Sequence, residues 1–149
     1  MSDIRIHTNT FTLRQIVNNI EYGGILLASA FQRAEKWNVQ QESRLIESIL
    51  LGIPLPPFYF KELDTGNYQI VDGLQRLRAI YSYLKDEYAM GDVERLTDQA
   101  GKSFSGLFWT LQQRVYGAHV LVHTLHPQTT SEVCFDVFKR INSARLGEP

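Results

Sequence analysis

The sequence has almost no cysteine, since Cys134 is the one cysteine among 149 residues. A single cysteine excludes an internal disulfide and a metal site built from several cysteines, and it is typical of a protein from a reducing compartment. No apolar run approaches the roughly 18 residues of a membrane-spanning helix. The first residues, MSDIRIHTNT, also lack the basic and apolar segments of a signal peptide. These absences predict a cytoplasmic protein with no membrane among its partners.

An excess of positive charge is missing as well, because 15 lysines and arginines face 16 aspartates and glutamates and the formal net charge is −1. No global field therefore draws the protein to DNA, and any contact with a polyanion requires a local cluster of arginine and lysine. Hydrophobic residues make up 44% of the chain and charged residues 21%. This balance predicts one compact domain over residues 1–149.

The mixture of strand and helix patterns along the chain predicts an α+β fold, a small mixed sheet flanked by helices. The clearest unit is a hairpin, with strands at 58–63 and 68–71 and a turn-rich connection between them. Residues 90–105 are polar and predict a variable excursion. The other predicted elements are strands at 4–8 and 118–125, a helix capped by Thr10 or Thr12, helices at 39–51, after Gly73 and at 107–114, and a last helix whose capping box is Thr129 and Glu132.

Residues 68–76 predict a strand that feeds a helix through a glycine turn. Free backbone N–H groups and the positive end of the helix dipole attract phosphate at such a turn. Gly73 would let the backbone approach a ligand closely, Arg76 would pair with phosphate oxygens, and Gln75 would donate and accept hydrogen bonds. Asp72 beside a phosphate favours ligation of Mg²⁺ or orientation of a water molecule. The alternative is an ordinary Asp-Gly turn in which these side chains cap the helix or lie in solvent.

Four motifs in a fixed order carry a family resemblance over nearly the whole chain. They are FQRAEKW at 31–37, GIPLPP at 52–57, VDGLQRLRAI at 71–80 and FKRINSARL at 138–146. In these motifs the chain resembles the N-terminal domain of the GmrSD-type restriction family, within the ParB/sulfiredoxin-like superfamily. The resemblance implies a ParB/sulfiredoxin-like fold, binding of a nucleoside triphosphate and, in relatives, its hydrolysis in DNA restriction or anti-phage defence.

Carried over to this sequence, the resemblance implies one site assembled from three separate motifs. Arg33 and Arg140 would counter phosphate charge, and Asn142 would hold a ribose, a base or a metal-bound water. For the two arginines a surface salt bridge is the alternative. The implied catalytic residues are Asp72, Gln75 and Arg76, with Asp72 as the Mg²⁺ ligand, and the implied nucleotide-binding residues are Gln32, Arg33, Gly73, Arg140 and Asn142.

Two positions depart from the family pattern, and both bear on turnover. Leu74 stands where the family usually has glutamine, and Arg78 stands where it has threonine. Leu74 also continues an apolar stripe, so its side chain is equally consistent with packing inward.

The sequence ends at Pro149, whereas relatives continue into further helices and a nuclease domain, and it contains no H-N-H-like cluster. We therefore expect no nuclease activity from this chain alone, and we expect a longer parent or a nuclease subunit to supply it.

Three functions remain open at this point. The first is a Mg²⁺-dependent NTPase, or a degenerate form of one. The second is a non-catalytic DNA-binding or modification-sensing module of the ParB type. The third is a regulatory domain that binds only protein.

Other residues that attract notice are expected to be structural. His119, His123 and His126 predict strand and loop histidines rather than a zinc site. Cys134 lies on the apolar face of the last helix and predicts buried packing rather than a nucleophile. Phe58, Phe60 and Trp37 are aromatic: the first two predict core positions, and Trp37 is open between the core and stacking on a base.

Overall fold

The computed structural model describes residues 4–28 and 37–146, which form an α+β fold around a five-stranded sheet. The predicted small mixed sheet flanked by helices is confirmed. No helix among these residues is long and apolar enough to cross a bilayer. The strands are β1 Ile6–Thr12, β2 Ile25–Leu26, β3 Phe58–Glu62, β4 Tyr68–Asp72 and β5 His119–Leu125, and the helices are α1 Leu13–Glu21, α2 Val39–Leu50, α3 Leu74–Leu84, α4 Trp109–Gly117 and α5 Ser131–Leu146.

The order of the strands in the sheet is β1-β5-β3-β4-β2. β1 is antiparallel to β5, β5 is parallel to β3, β3 is antiparallel to β4 and β4 is parallel to β2. β3 and β5 therefore end at the edge of the sheet where β1 and β4 begin. The opposite edge holds the end of β4 and the start of β3, so the glycine turn after Asp72 lies there.

The two faces of the sheet are covered by different helices. One face carries the larger core, in which α1, α2, α3 and α4 pack around Phe58, Phe60 and Ile70. The other face is covered by α5, whose Cys134 and Val137 pack with side chains of β4 and β5. Because side chains alternate along a strand, neighbouring residues such as Ile70 and Val71 lie in different cores.

Local sequence explains where most helices begin. Thr12 caps α1, since its Oγ1 accepts from the Gln15 N–H at 3.2 Å while the Gln15 side chain accepts from the Thr12 N–H at 2.9 Å. This confirms one of the two predicted caps. The predicted capping box at Thr129 is wrong by one residue, because α5 begins at Ser131 and Thr130 Oγ1 accepts from the Val133 N–H at 3.3 Å.

The predicted helix at 39–51 and the predicted hairpin are confirmed almost to the residue. The first strand, in contrast, is longer than predicted, because all seven residues of β1 pair with β5. The helix predicted after Gly73 is confirmed as α3, which ends at Leu84. Tyr83 is the aromatic side chain that α3 buries fully, with 0% exposure.

The segment 90–105, predicted as a polar excursion, contributes to the core. Met90, Val93 and Phe104 are buried, with 2%, 8% and 5% exposure. Glu47 of α2 holds the segment in place, since its buried carboxylate accepts from the backbone N–H groups of Arg95 and Leu96, both at 2.8 Å. Burial alone would raise the pKa of Glu47, but these hydrogen bonds and the nearby Arg95 charge lower it below its ordinary value.

Candidate functional site

The candidate site is the turn between β4 and α3, where Gly73 is the N-cap residue of α3. Its φ of 108° lies in the left-handed region, which glycine adopts without strain. Gly73 has no side chain of its own with which to cap α3. The first turn therefore directs backbone N–H groups and the positive end of the helix dipole towards the end of β4, as the sequence predicted.

Packing gives a second reason for glycine at position 73. A Cβ atom at Gly73 would lie 2.3 Å from Phe58 Cδ1, 2.8 Å from Phe58 Cε1 and 3.2 Å from Arg76 Nη2. The Phe58 ring thus occupies the space next to the glycine. The structure shows the Phe58 ring close to the Gly73 backbone. The close approach of a ligand to the same backbone stays a prediction.

Arg76 is buried, with 8% exposure, and its guanidinium joins two motifs. Nη1 donates to the Pro56 carbonyl and Nη2 donates to the Pro57 carbonyl at 3.0 Å. Its Cζ atom lies 4.0 Å from the centroid of the Phe58 ring, a cation–π distance. Arg76 therefore ties the proline-rich segment before β3 to the first turn of α3. These contacts do not test whether Arg76 also pairs with phosphate, and that role stays a prediction.

Asp72 is 1% exposed, and its Oδ2 atom lies 3.5 Å from Arg76 Nη2. A carboxylate is stable at such burial only with a positive partner or hydrogen bonds, and Arg76 supplies one charge. The two residues are four apart on a strand end and a helix start, and Gly73 lets the chain turn between them. The predicted proximity of Asp72, Gly73 and Arg76 is therefore present in the structure.

The donor set at Asp72 suits Mg²⁺ only together with a phosphate-bearing ligand. Mg²⁺ is commonly held by one or two carboxylates plus phosphate oxygens and water. Asp72 offers one carboxylate, and the described part of the chain contains no group of three histidine, cysteine or acidic side chains that would form a metal cage. Asp72 would then be a protein ligand of the ion, and a nucleotide would supply further oxygens.

The remaining site residues lie on several elements. Gln75 is half-buried in the first turn of α3. Arg140 is on α5, with a side chain 79% exposed, and its Nε donates to Asp136 at 3.2 Å. Asn142 Nδ2 donates to the Phe138 carbonyl at 2.8 Å, within α5 itself. Gln32 and Arg33 fall outside the described residues.

α5 approaches the turn from the other face of the sheet. Residues 126–130 connect β5 to α5 and contain a turn in which the Thr129 N–H donates to the His126 carbonyl at 2.9 Å. The apolar stripe of α5 covers Val71, the residue before Asp72. Arg140 and Asn142 flank Ile141, which packs against the same cluster as Val71. The Arg140–Asp136 pair is exposed, and such a pair contributes little to stability.

Sequence reasoning missed the proline-rich segment as a partner of the turn. The carbonyls of Pro56 and Pro57 cannot be recognised as acceptors from their side chains, although GIPLPP and VDGLQR were both singled out. Leu74, with 2% exposure, is packed in the core, so of the two readings that the sequence left open the structure shows the inward one. In this chain the position serves packing.

The other notable residues are largely structural. Cys134 is 0% exposed and burial raises the pKa of its thiol, with Lys61 acting in the opposite direction, so the predicted buried packing is confirmed. Phe58 and Phe60 are in the core as predicted, and Trp37 is half-buried against it. His123 Nδ1 lies 2.7 Å from Thr8 Oγ1 across the β1–β5 pair.

Comparison with known proteins identifies one family. The model of the GmrSD restriction endonuclease N-terminal domain matches residues 13–147, which include every described helix and both strands of the hairpin. No curated protein and no solved structure matched the chain. Because the family model covers most of the sequence, the chain belongs to the family of GmrSD restriction endonuclease N-terminal domains.

Proposed function

We propose that this chain binds and hydrolyses a nucleoside triphosphate within a DNA restriction system, with the phosphates at the turn between β4 and α3. The observation that carries the proposal is the start of α3: a left-handed glycine placed directly after a buried aspartate and one turn before a buried arginine. Backbone N–H groups at such a helix start favour an anion without further charged residues. The near-neutral net charge is compatible with a local site of this kind.

Each residue then has a separate task. The α3 amides hold the phosphates, and Arg76 positions the Asp72 carboxylate and the backbone of the turn. Asp72 orients the attacking water or ligates Mg²⁺, which when bound would neutralise phosphate charge. Gln75 donates and accepts hydrogen bonds beside the phosphates. Gln32, Arg33, Arg140 and Asn142 complete the proposed site from the first and last motifs.

The test is a calorimetric titration of the chain with ATP, GTP and CTP, each with and without Mg²⁺. Gln75→Ala should weaken binding by about ten-fold or more, since a hydrogen bond to a charged group contributes roughly 1.5–3 kcal/mol. Gln113→Ala, a half-buried glutamine on α4, is the matched control and should bind as the unmodified chain does. Failure of all three nucleotides to bind contradicts the proposal, and equal binding by both variants contradicts the role of Gln75.

A second candidate is a DNA-binding or modification-sensing module without turnover. It is supported by membership of a restriction endonuclease family and by the exposed Arg140 guanidinium, which suits DNA phosphate as well as nucleotide. This candidate predicts oligonucleotide binding without nucleotide, with an affinity that falls linearly on a logarithmic salt scale. Nucleotide binding that is insensitive to DNA would instead favour the first candidate.

The proposed setting is cytoplasmic, with a nuclease domain or subunit as the partner that cuts DNA. The family is named for a restriction endonuclease, and this chain corresponds to its N-terminal domain. A regulatory domain that only binds protein would capture a GmrSD-type nuclease domain in a pull-down but would bind neither nucleotide nor DNA. The same three measurements therefore distinguish the three functions.

A further inference from the structure

A cleft of about 220 Å³ opens on the α1 side of the sheet, at the edge opposite the Asp72 turn. Its floor crosses the sheet where β3 and β5 end and β1 and β4 begin. Asn9 and Phe11 of β1, Phe60 and Glu62 of β3 and Tyr68 of β4 line it. Their spacing of two residues along β1 and β3 places these side chains on one face of the sheet. α1 forms a wall, to which Asn19 contributes.

The apolar part of the cleft suits a flat ring. Phe60, with 2% exposure, lies at the base of the cleft, and the Tyr68 ring lies against it with centroids 6.1 Å apart and planes inclined by 44°. Phe11 lies along the β1 side, half-buried against the same core. Aromatic walls bind flat rings through stacking and edge contacts. The volume, below the range of drug-sized sites, admits a single small ring system.

The polar groups select which ring. Glu62 is half-buried and pairs in register with Tyr68, and it is the one carboxylate among the described residues that line the cleft. An ionised carboxylate only accepts hydrogen bonds, so it favours an amine and repels phosphate. The Asn9 amide both donates and accepts, which is the pattern that a ring nitrogen beside an exocyclic amine requires. A neutral ring is therefore preferred to a nucleotide.

We propose that this cleft binds a neutral heteroaromatic ring that carries an exocyclic amine, of the adenine or cytosine type. Glu62 accepts from the amine, Asn9 bonds the ring edge, and the half-buried Tyr68 ring contacts its face. The ring comes from a free nucleoside or from a base turned out of a DNA strand, and the chemistry of the cleft is the same for both. This site is separate from the proposed phosphate site, which lies at the other edge of the sheet.

The test measures nucleoside preference in the full chain. Adenosine, cytidine, uridine and thymidine are titrated by calorimetry, while NMR follows the resonances of Tyr68 and Asn9. The unmodified chain should prefer adenosine and cytidine. Glu62→Gln replaces an acceptor with a group that also donates, so the preference for amine-bearing rings over uridine should fall by about ten-fold. An unchanged preference overturns the proposal, as does the absence of binding by every nucleoside.

Two controls separate this site from folding and from the phosphate site. Glu87→Gln changes an exposed glutamate away from the cleft and should leave the preference unchanged. Asp72→Asn should retain nucleoside binding even where NTP binding is lost, so failure of one proposal is distinguishable from failure of the other. An oligonucleotide with a mismatched cytosine identifies the source: binding that Glu62→Gln weakens points to an extruded base. If Glu62→Gln weakens binding of the free nucleosides but not of the oligonucleotide, the ligand is a free molecule. If Glu62→Gln weakens binding of neither, the proposal is overturned.

Discussion

Gly73→Ala brings the added Cβ atom closer to its neighbours than the same change does at any other described glycine. The new Cβ atom would lie 2.3 Å from Phe58 Cδ1, which forces the ring or the turn to move. Moving packed core atoms costs about 1–3 kcal/mol. The φ of 108° adds about 1–2 kcal/mol for a residue with a side chain. The free energy of unfolding should therefore fall by about 2–5 kcal/mol, a large share of the 5–15 kcal/mol typical of a domain.

Gly66→Ala supplies the matched control. Gly66 has a similar φ of 88°, but no atom lies within 4 Å of the position of its added Cβ. Only the backbone term of about 1–2 kcal/mol then applies. In urea unfolding followed by circular dichroism, the difference between the two variants isolates the packing term. For a chain of this size each kcal/mol lowers the melting temperature by about 2–4 °C, so Gly73→Ala should melt roughly 4–20 °C lower.

A double variant tests the cause directly. Phe58→Leu removes the ring atoms with which the new Cβ collides, so Gly73→Ala should cost about 1–3 kcal/mol less in that background. Phe58→Leu has its own cost, which the cycle subtracts. If Gly73→Ala and Gly66→Ala destabilise equally, or if Phe58→Leu gives no relief, the packing explanation for this glycine is refuted.

Three further outcomes are expected. Arg76→Lys should lower the free energy of unfolding in urea by about 1–3 kcal/mol, because an ammonium cannot bridge two carbonyls while stacking on Phe58. An unchanged unfolding midpoint would argue against this bridging role of Arg76. The pKa of Glu47 in the folded protein lies below its usual value of 4.5, so the stability that ionised Glu47 contributes is complete above pH 4.5 and is lost as the pH falls through the folded pKa. Glu47→Gln should therefore flatten this acidic part of the stability–pH curve. An unaltered curve in the variant would contradict the prediction. Burial raises the pKa of Cys134, so a thiol reagent should modify it at neutral pH only as fast as the chain opens, and rapid modification of the folded protein would contradict its burial.

The fold was predictable where burial is periodic along the sequence. The helix at 39–51 was placed within one residue because Leu45, Ile46, Ile49 and Leu50 form a one-sided stripe that is buried. The excursion at 90–105 was misjudged because its order comes from distant partners. Glu47 holds its backbone from 48 and 49 residues away, and the Tyr83 hydroxyl donates to the Lys102 carbonyl at 2.9 Å. No local pattern encodes such contacts.

The position of the site was predictable from the sequence, but the reasons for the residue types found there were less so. The glycine between a strand and an apolar stripe correctly placed the turn and brought Asp72 close to Arg76. The reasons for those residue types, however, include neighbours that the sequence does not connect. The Phe58 ring fills the space beside Gly73, and two backbone carbonyls accept from the Arg76 guanidinium. Partners of this kind depend on the tertiary fold.

The proline-rich motif and the glycine turn therefore occur together for a structural reason that does not depend on a ligand. Arg76 connects them, so a change at Arg76 disturbs the turn whether or not a phosphate binds there. Loss of nucleotide binding in Arg76→Lys would accordingly show positioning, unless the variant kept its unfolding midpoint. Gln75→Ala is the more decisive change. Loss of nucleotide binding with unchanged stability in that variant would indicate a contact between the ligand and the Gln75 side chain, because Gln75→Ala leaves the donors and acceptors of the Arg76 bonds to Pro56 and Pro57 in place.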